Sequence, residues 1–270
     1  MPLACPVVVG ILNVTPDSFS GSNQALGPAA AVDRAIQMVD EGADIVDVGA
    51  ESTRPGAHPV DVEEEWSRLS PVVSRLGRQG VGFSVDTTKL EIARRALNDG
   101  ASAINDVSGL RFCPEIAPLC AEHGAGLILM HMRGEPRTMQ ADVAYEDLLG
   151  EVGEFLAAKA AFARSTGCSA DQIVIDPGIG FGKSATQNLE LLGRIERLVS
   201  LGYPVLVGPS RKSFIGHTLD LPIEERLEAT IAACLVAFEG GAGLFRVHDV
   251  APARRALDMA DAIHQATREA

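Results

Sequence analysis

The stretch VVVGILN, residues 7–13, is the first of eight short apolar runs, and it ends in a polar residue, Asn13. Seven further runs repeat the pattern at near-regular intervals: DIVDVGAES (44–52), GFSVDT (82–87), AINDVS (103–108), GLILMH (126–131), IVIDPG (173–178), PVLVGPSRK (204–212) and LFRVHD (244–249). The intervening stretches, roughly ten to twenty residues each, have helical periodicity, and this alternation is typical of βαβ units. Eight such units predict an α/β fold, a (β/α)8 TIM barrel.

The length of 270 residues is close to the roughly 250 of a typical barrel of this kind. Neither a Pro/Ser-rich linker nor a block of charge divides the chain, so residues 1–270 are predicted to form a single barrel domain. Because 46% of the residues are hydrophobic and only 4% are aromatic, we expect a core built from aliphatic side chains.

The net charge of −13 argues against nucleic acid and against an anionic membrane as partners. No apolar run reaches the roughly 18 residues that span a bilayer, and the chain does not open with a secretory signal. The five cysteines are odd in number and form no CxxC pair, which is typical of reduced thiols. These features predict a cytoplasmic protein that binds small molecules.

The C-terminal ends of all eight strands meet at one mouth of such a barrel, where active sites lie. Residues far apart in sequence are therefore predicted to form one cluster. Its members are Asn13, Thr53, Arg54, Asp86, Asn105, His131, Asp176, Arg211, Lys212, Arg246 and His248.

Arginine residues at two of these strand ends predict an anion site. The planar guanidinium of Arg54 suits phosphate oxygens, and the Pro-Gly pair at 55–56 restrains the backbone beside it. Arg246 and His248 alternate along the last strand and so share a face, at the end of the barrel that often carries phosphate. The alternative for Arg54 is an ordinary surface arginine.

Carboxylates at strand ends predict a site for a flat heterocycle. Asp86 and Asp176 end apolar strands, where a charge needs a partner, and each can accept two parallel N–H bonds from an amidine-like ring edge. Asn105 can donate and accept at once, and Lys212 offers a point charge to a ring atom. The alternative is that the aspartates cap the helices that follow.

The glycines of DPGIGFGKS, residues 176–184, do not make a phosphate-binding loop, because Pro177 stands where a Walker A motif needs glycine. They are predicted to let the backbone approach the flat ligand, with Phe181 stacking or packing beside it and Met130 packing beneath it. The amide oxygen of Asn13 suits a hard cation such as Mg²⁺, although a single amide is a weak signal. The remaining histidines lack the spacing of transition-metal ligands.

Two helical segments carry further expectations. Pro71, inside the predicted helix 59–79, is expected to kink or divide it. The segment RLEATIAACLVAFEGG, residues 226–241, is apolar nearly all round, so part of its surface is predicted to be a dimer interface, the alternative being burial under a neighbouring helix.

Eight ordered motifs, spread over essentially the whole chain, resemble those of the dihydropteroate synthase family. They are GILNVTPDSFS, DVGAESTRPGA, VDT, INDVSG, LMHMRGEPRTMQ, DPGIGFGK, GPSRKSFIG and RVHDV. The resemblance implies a (β/α)8 barrel, usually a homodimer, that acts in folate biosynthesis as a transferase and is the sulfonamide target. Such enzymes condense (7,8-dihydropterin-6-yl)methyl diphosphate with 4-aminobenzoate, giving 7,8-dihydropteroate and diphosphate.

The resemblance also implies roles for individual positions. The pterin would contact Asp86, Asn105, Met130, Asp176 and Lys212. Diphosphate would contact Thr53, Arg54, Arg246 and His248, together with Mg²⁺ on Asn13. Aminobenzoate would lie against Phe19, Pro55, Phe181 and Ser213. Catalysis is expected to be electrostatic and to rest on Asp86, Lys212, Arg246 and His248, which stabilise the departing diphosphate and a cationic ring.

Three departures from the family pattern bear on this implication: Gly21-Ser22-Asn23 in the first loop, Ala50 in the second strand run, and Ala229 in the helix 226–241. Two alternatives stay open at this point. One is a pterin-binding barrel without synthase activity. The other is a methyltetrahydrofolate–corrinoid methyltransferase, which would have no use for Arg54, Arg246 and His248 as diphosphate ligands.

Overall fold

The computed structural model describes residues 5–15, 28–52, 59–135, 138–139 and 143–268, and eight parallel strands run through these ranges. The strands are β1 (Val7–Asn13), β2 (Ile45–Gly49), β3 (Phe83–Asp86), β4 (Ala103–Asp106), β5 (Gly126–Met130), β6 (Ile173–Asp176), β7 (Leu206–Val207) and β8 (Leu244–Val247). Each predicted run thus contains one strand, and the polar residues chosen from the sequence, where the structure describes them, lie near or beyond the C-terminal strand ends.

Sequential strands pair in the order β6-β5-β4-β3-β2-β1-β8-β7, so β6 and β7 stand at the two edges. A parallel bridge between Ile175 and Val205 joins those edges, and the Ile175 N–H donates to the Pro204 carbonyl at 3.0 Å. The sheet is therefore closed, and the expected (β/α)8 TIM barrel is confirmed.

Strand periodicity divides the buried residues into two sets. Outward positions such as Val46, Val85 and Phe245 belong to the large aliphatic core between the strands and the helices. Inward positions near the start of the strands form a small separate cluster of Val9, Ile128, Leu206 and Leu244, with Val7 and Val174 packed against it. Because successive residues point to opposite faces, the inward positions nearer the C-terminal ends are the polar residues of the site.

Ten helices surround the barrel within the described part of the chain: α1 (Pro28–Asp40), α2 (Val62–Gln79), α3 (Leu90–Asn98), α4 (Ile116–His123), α5 (Leu148–Ser165), α6 (Ala185–Gly193), α7 (Glu196–Val199), α8 (Ser213–Leu219), α9 (Leu227–Glu239) and α10 (Val250–Arg268). None of them is both long and apolar enough to cross a bilayer. All five cysteines are free thiols.

Of the two expectations for Pro71, division of the helix is wrong, because α2 continues through it from Val62 to Gln79, and the kink stays a prediction. Proline removes one backbone hydrogen bond, but Leu69, Val72 and Leu76 bury their side chains completely on either side of it. Packing of this apolar face outweighs the lost bond. The short helix α8 was not foreseen.

Close packing of α2 against the end of α3 leaves no room for a side chain at Gly77. A Cβ built on Gly77 would lie 2.0 Å from the carbonyl oxygen of Asp99, a backbone atom. We expect Gly77→Ala to lower the free energy of unfolding by about 1–3 kcal/mol, measured by denaturant unfolding, because the backbone must shift.

The matched control is Gly193→Ala, at the end of α6, where a Cβ would meet nothing within 4 Å. Replacing a helical glycine by alanine in open space is neutral or stabilising by about 0.5–1 kcal/mol. Equal unfolding free energies for the two variants would contradict the close approach at Gly77.

Candidate active site

At the C-terminal end of the barrel, the last residues of the neighbouring strands β1, β2 and β3 lie side by side. Gly49 is in register with Asn13 on one side and with Asp86 on the other. A Cβ on Gly49 would lie 3.6 Å from Asn13 Oδ1 and 3.8 Å from Asp86 Oδ2. The missing side chain therefore leaves a small space toward which an amide oxygen and a carboxylate oxygen both point.

A fully buried carboxylate, Asp47, connects the predicted residues one layer below this space. Its Oδ2 accepts from Arg246 Nε at 2.6 Å and from Asn105 Nδ2 at 3.1 Å. Its Oδ1 accepts from the Ser84 hydroxyl at 2.6 Å. Arg246 also places Nη2 3.4 Å from Asp86 Oδ2. The structure thus brings Asp86, Asn105 and Arg246 into one network.

The surroundings of Asp86 favour the protonated form of its carboxyl group. Burial, followed by the neighbouring charge of Asp47, raises the pKa of Asp86 to about 8, although the Arg246 guanidinium opposes the shift. Without a ligand, burial therefore disfavours the ionised carboxylate of Asp86. A ligand that brings N–H donors or positive charge would favour its ionised form.

Asp176 and Lys212 lie across the mouth beside the glycine-rich loop. Asp176 Oδ1 accepts from the Gly178 N–H at 2.7 Å. Lys212 Nζ donates to the carbonyl of Ile179 and lies 4.3 Å from the centroid of the Phe181 ring. Burial lowers the pKa of Lys212 to about 7, against the opposing charge of Asp176, and burial raises the pKa of Asp176. Burial thus disfavours the charged form of both groups.

The side chain of Lys183 lies inside the glycine-rich loop and bonds to its carbonyls, a role that the sequence did not indicate. Only 3% of this residue is exposed, and its Nζ lies 3.0 Å from His131 Nδ1. It also donates to the carbonyls of Gly178 at 3.1 Å and Phe181 at 3.0 Å. Lys183 therefore holds the loop that carries Phe181 against the end of β5, and His131 serves as its partner.

His248 lies just beyond β8, beside the loop that follows β7. Its Nδ1 is 3.0 Å from the Ser210 hydroxyl oxygen, and that oxygen also accepts from the His248 N–H at 3.2 Å. Burial, with the positive charges of Arg246 and Arg211, lowers the pKa of His248 to about 4. Arg211 is engaged elsewhere, since its Nε and Nη2 contact the two carboxylate oxygens of Asp249 at 2.9 and 2.6 Å.

Met130 and Ser213 are the other predicted residues that the structure describes. Met130 is buried in a small cluster with Val107, Met132 and Met139, and Phe181 packs against this cluster. Ser213 is exposed at the first position of α8, directly after Lys212. The remaining four predicted residues, Phe19, Thr53, Arg54 and Pro55, lie outside the described residues.

The donor atoms in this mouth fit a magnesium ion that is shared with a ligand. No group of three His, Cys, Asp or Glu side chains suited to hold a metal occurs among the described residues. Mg²⁺ commonly takes one or two protein oxygens and completes its shell with water and substrate phosphate. The Asn13 amide oxygen, facing the space above Gly49, is a donor of that kind.

Comparison with known proteins agrees with this geometry. Residues 9–248 match the family model described as pterin binding enzyme. The dihydropteroate synthase of Synechocystis is 48% identical over 258 residues, which cover 95% of this chain and 89% of the relative. This chain belongs to the dihydropteroate synthase family.

Solved structures of the family carry ligands. The Xanthomonas albilineans dihydropteroate synthase with 4-aminobenzoic acid superposes with a TM-score of 0.90 at 43% identity, covering 97% of this chain and 94% of that one. The Burkholderia cenocepacia enzyme complexed with 7,8-dihydropteroate gives 0.88 at 40% identity, covering 99% and 95%.

Two of the three departures from the family pattern lie in described parts of the barrel. Ala50 is fully buried after β2, and its carbonyl accepts from Arg68 Nη1 at 2.9 Å. Ala229, in α9, packs against the outer core. The third, residues 21–23, falls outside the described residues.

Asp47 is the most important residue that the sequence analysis missed. It lies within DIVDVGAES, in the middle of a strand. The prediction considered only polar residues at strand ends and therefore did not include it. The available signal was a carboxylate between apolar neighbours at an inward position, since a buried charge needs a partner. Ser84 and Ser210 carried no comparable signal.

The depressed pKa of His248 predicts a component of acid sensitivity. The unfolded chain, with a histidine pKa near 6.5, takes up this proton before the folded protein does, so His248 lowers stability as pH falls from about 6.5 to about 4. We expect the unfolding free energy of His248→Gln, relative to wild type, to rise by about 1–3 kcal/mol between pH 7 and pH 4. A difference that stays constant over this range, in paired denaturant titrations, would contradict the shift.

Proposed function

We propose that this protein is a dihydropteroate synthase that condenses (7,8-dihydropterin-6-yl)methyl diphosphate with 4-aminobenzoate. The observation that carries the proposal is a barrel mouth that holds carboxylate and amide acceptors together with Arg246 and His248, which would form two subsites for the ligand. Asp86, Asn105 and Asp176 supply acceptors for a flat heterocycle, while Arg246 and His248 lie on the β8 side, where an anion would bind. The ligands named for the Xanthomonas and Burkholderia relatives support the same chemistry.

The reaction is a transferase step without a covalent enzyme intermediate. The bond between the pterin methylene carbon and the diphosphate oxygen breaks, and the diphosphate leaves with the electron pair. The aminobenzoate nitrogen then forms the new bond to that carbon and loses a proton. A weak amine nucleophile and a good leaving group favour early cleavage, so positive charge develops on the pterin ring.

Residues of both subsites would stabilise this charge separation. Arg246 donates to the departing diphosphate, and His248, held by Ser210, offers a second polar contact. Asp86 and Asp176, ionised when the ring becomes positive, stabilise it from the other side. Lys212 contacts the Phe181 ring, which would border the aminobenzoate.

A magnesium ion, held by Asn13 together with the substrate diphosphate and water, would neutralise charge on the leaving group. Thr53 and Arg54 are proposed as further diphosphate ligands, and Phe19, Pro55 and Ser213 as further neighbours of aminobenzoate, on the resemblance alone. Sulfonamides are proposed to compete with aminobenzoate on the same ground.

The test of the function is diphosphate release from the pterin diphosphate with Mg²⁺, with and without 4-aminobenzoate, with dihydropteroate followed by mass spectrometry. We expect product only with aminobenzoate, and loss of turnover when a chelator removes Mg²⁺. Tight pterin binding without product would instead identify a pterin-binding barrel that lacks synthase activity.

Variants at the two subsites should separate binding from turnover. Asp176→Asn keeps an acceptor for the Gly178 N–H but loses the charge, and we expect the pterin Kd to rise about tenfold or more, measured by calorimetry. Arg246→Ala should chiefly lower kcat, because it removes a donor to the leaving group. Wild-type pterin affinity in the first variant, or wild-type turnover at saturation in the second, would refute that residue's role.

We also propose that the protein is a cytoplasmic homodimer. Only Thr230, Cys234 and Ala237 of α9 are buried, although the helix is apolar on nearly every side. Val236 on α9, with Met259 and Ile263 on the adjacent α10, each expose more than half of their surface. A face of this kind is suited to a second copy of the chain.

Light scattering tests the dimer directly. We expect the mass of two chains at micromolar concentration, and a shift toward the mass of one chain when Val236→Glu and Met259→Glu are combined. Both side chains are exposed, so the two substitutions should leave the barrel folded. A monomer mass for the wild-type protein would refute the proposal.

A further inference from the structure

Asp47 has no direct part in the proposed reaction, yet three side chains at the barrel mouth donate hydrogen bonds to it. It is fully buried and receives hydrogen bonds from Ser84, Asn105 and Arg246, which come from three different strands. Register explains the first bond, because Asp47 and Ser84 are direct neighbours across β2 and β3. The other two bonds reach residues that are assigned to opposite halves of the ligand.

The bond to Asn105 decides which way its amide faces. A carboxylate accepts but cannot donate, so Asp47 Oδ2, at 3.1 Å, requires the nitrogen of the amide on its side. Asn105 Oδ1 is consequently directed away from Asp47, and this buried oxygen has no hydrogen-bond partner among the described residues. A buried acceptor without a partner is costly, and a ring N–H of the ligand would satisfy it.

The bond to Arg246 fixes the guanidinium in the same way. Nε donates to Asp47 at 2.6 Å and Nη2 lies 3.4 Å from Asp86 Oδ2. The edge of the guanidinium that carries Nε and Nη2 therefore faces these two side chains. Nη1 forms no hydrogen bond to the residues that the structure describes and remains the donor for an anion. Rotation of the guanidinium to expose the Nε edge would leave Asp47 without its cation.

We propose that Asp47 is a positioning residue that sets both the acceptor orientation of Asn105 and the anion-binding orientation of Arg246. Through one carboxylate it couples the ring subsite to the diphosphate subsite. The proposal rests on the proposed function for the identity of the two ligand halves. It requires no contact between Asp47 and the substrate.

Asp47→Asn tests the proposal, because it keeps the shape of the side chain and removes the carboxylate that both partners need. Binding is measured separately for the two halves, with a dihydropterin that lacks the diphosphate arm and with inorganic diphosphate in the presence of Mg²⁺. We expect both dissociation constants to rise about tenfold or more. In an Asn105→Ala background the effect on pterin binding should vanish, and in an Arg246→Ala background the effect on diphosphate binding should vanish.

Asp106→Asn is the matched control. Asp106 is equally buried, at the end of β4, but its carboxylate accepts from the backbone N–H groups of Ser108 and Leu110, and its hydrogen bonds among the described residues do not include Asn105 or Arg246. We expect lower stability in this variant with both dissociation constants unchanged. Equal weakening of ligand binding in the Asp106 and Asp47 variants would show a general structural effect and overturn the proposal.

Two further outcomes would also overturn it. The proposal is overturned if folded Asp47→Asn protein, verified by circular dichroism, keeps wild-type affinity for either ligand half. Should Asp47→Asn fail to fold, Asp47→Ser is tested in its place, and failure of both to fold assigns Asp47 to stability alone. Absence of dihydropteroate synthesis by the wild-type protein would refute the proposed function, whereas the two binding measurements would still decide the role of Asp47.

Discussion

The interior of this barrel is organised by an ion pair between Asp47 and Arg246. Both side chains lie inside the closed sheet, and removing one partner of a buried pair typically costs about 3–5 kcal/mol. Such a pair needs polar neighbours, and Ser84 and Asn105 supply them from the adjacent strands. The aliphatic cluster around Val9 can fill only the lower part of the interior, so the barrel has an apolar base and a polar mouth.

The ionisable side chains of this polar mouth have shifted pKa values, because they lie inside a closed sheet. Burial favours the neutral form of each group, which is why the pKa values of Asp86 and Asp176 rise while that of Lys212 falls. A ligand that brings an N–H-rich ring and an anionic arm supplies the charges that these groups lack. The free site is thus prepared for a bound state with more charge separation than it holds alone.

Much of this arrangement could be predicted from the sequence, for a physical reason. Parallel strands of a barrel all end at the same face, so polar residues at the ends of apolar runs, such as Asp86 and Asp176, had to converge. The hydrogen-bond partners of these residues depend instead on the register between neighbouring strands. Whether Arg246 contacts Asp47 is decided by the alignment of β8, β1 and β2 across the sheet, which no local pattern records.

The glycine-rich loop shows why a motif has to be interpreted through the direction of its backbone groups. In a phosphate-binding loop the N–H groups point inward at an anion. Here the carbonyls of Gly178, Ile179 and Phe181 accept from lysines, Lys183 for the first and third and Lys212 for the second. Those carbonyls face cations and would repel a phosphate, which agrees with the proposal that diphosphate binds on the β8 side, beside Arg246 and His248. Under the proposed function, the polarity of this one loop would therefore orient the ligand in the mouth.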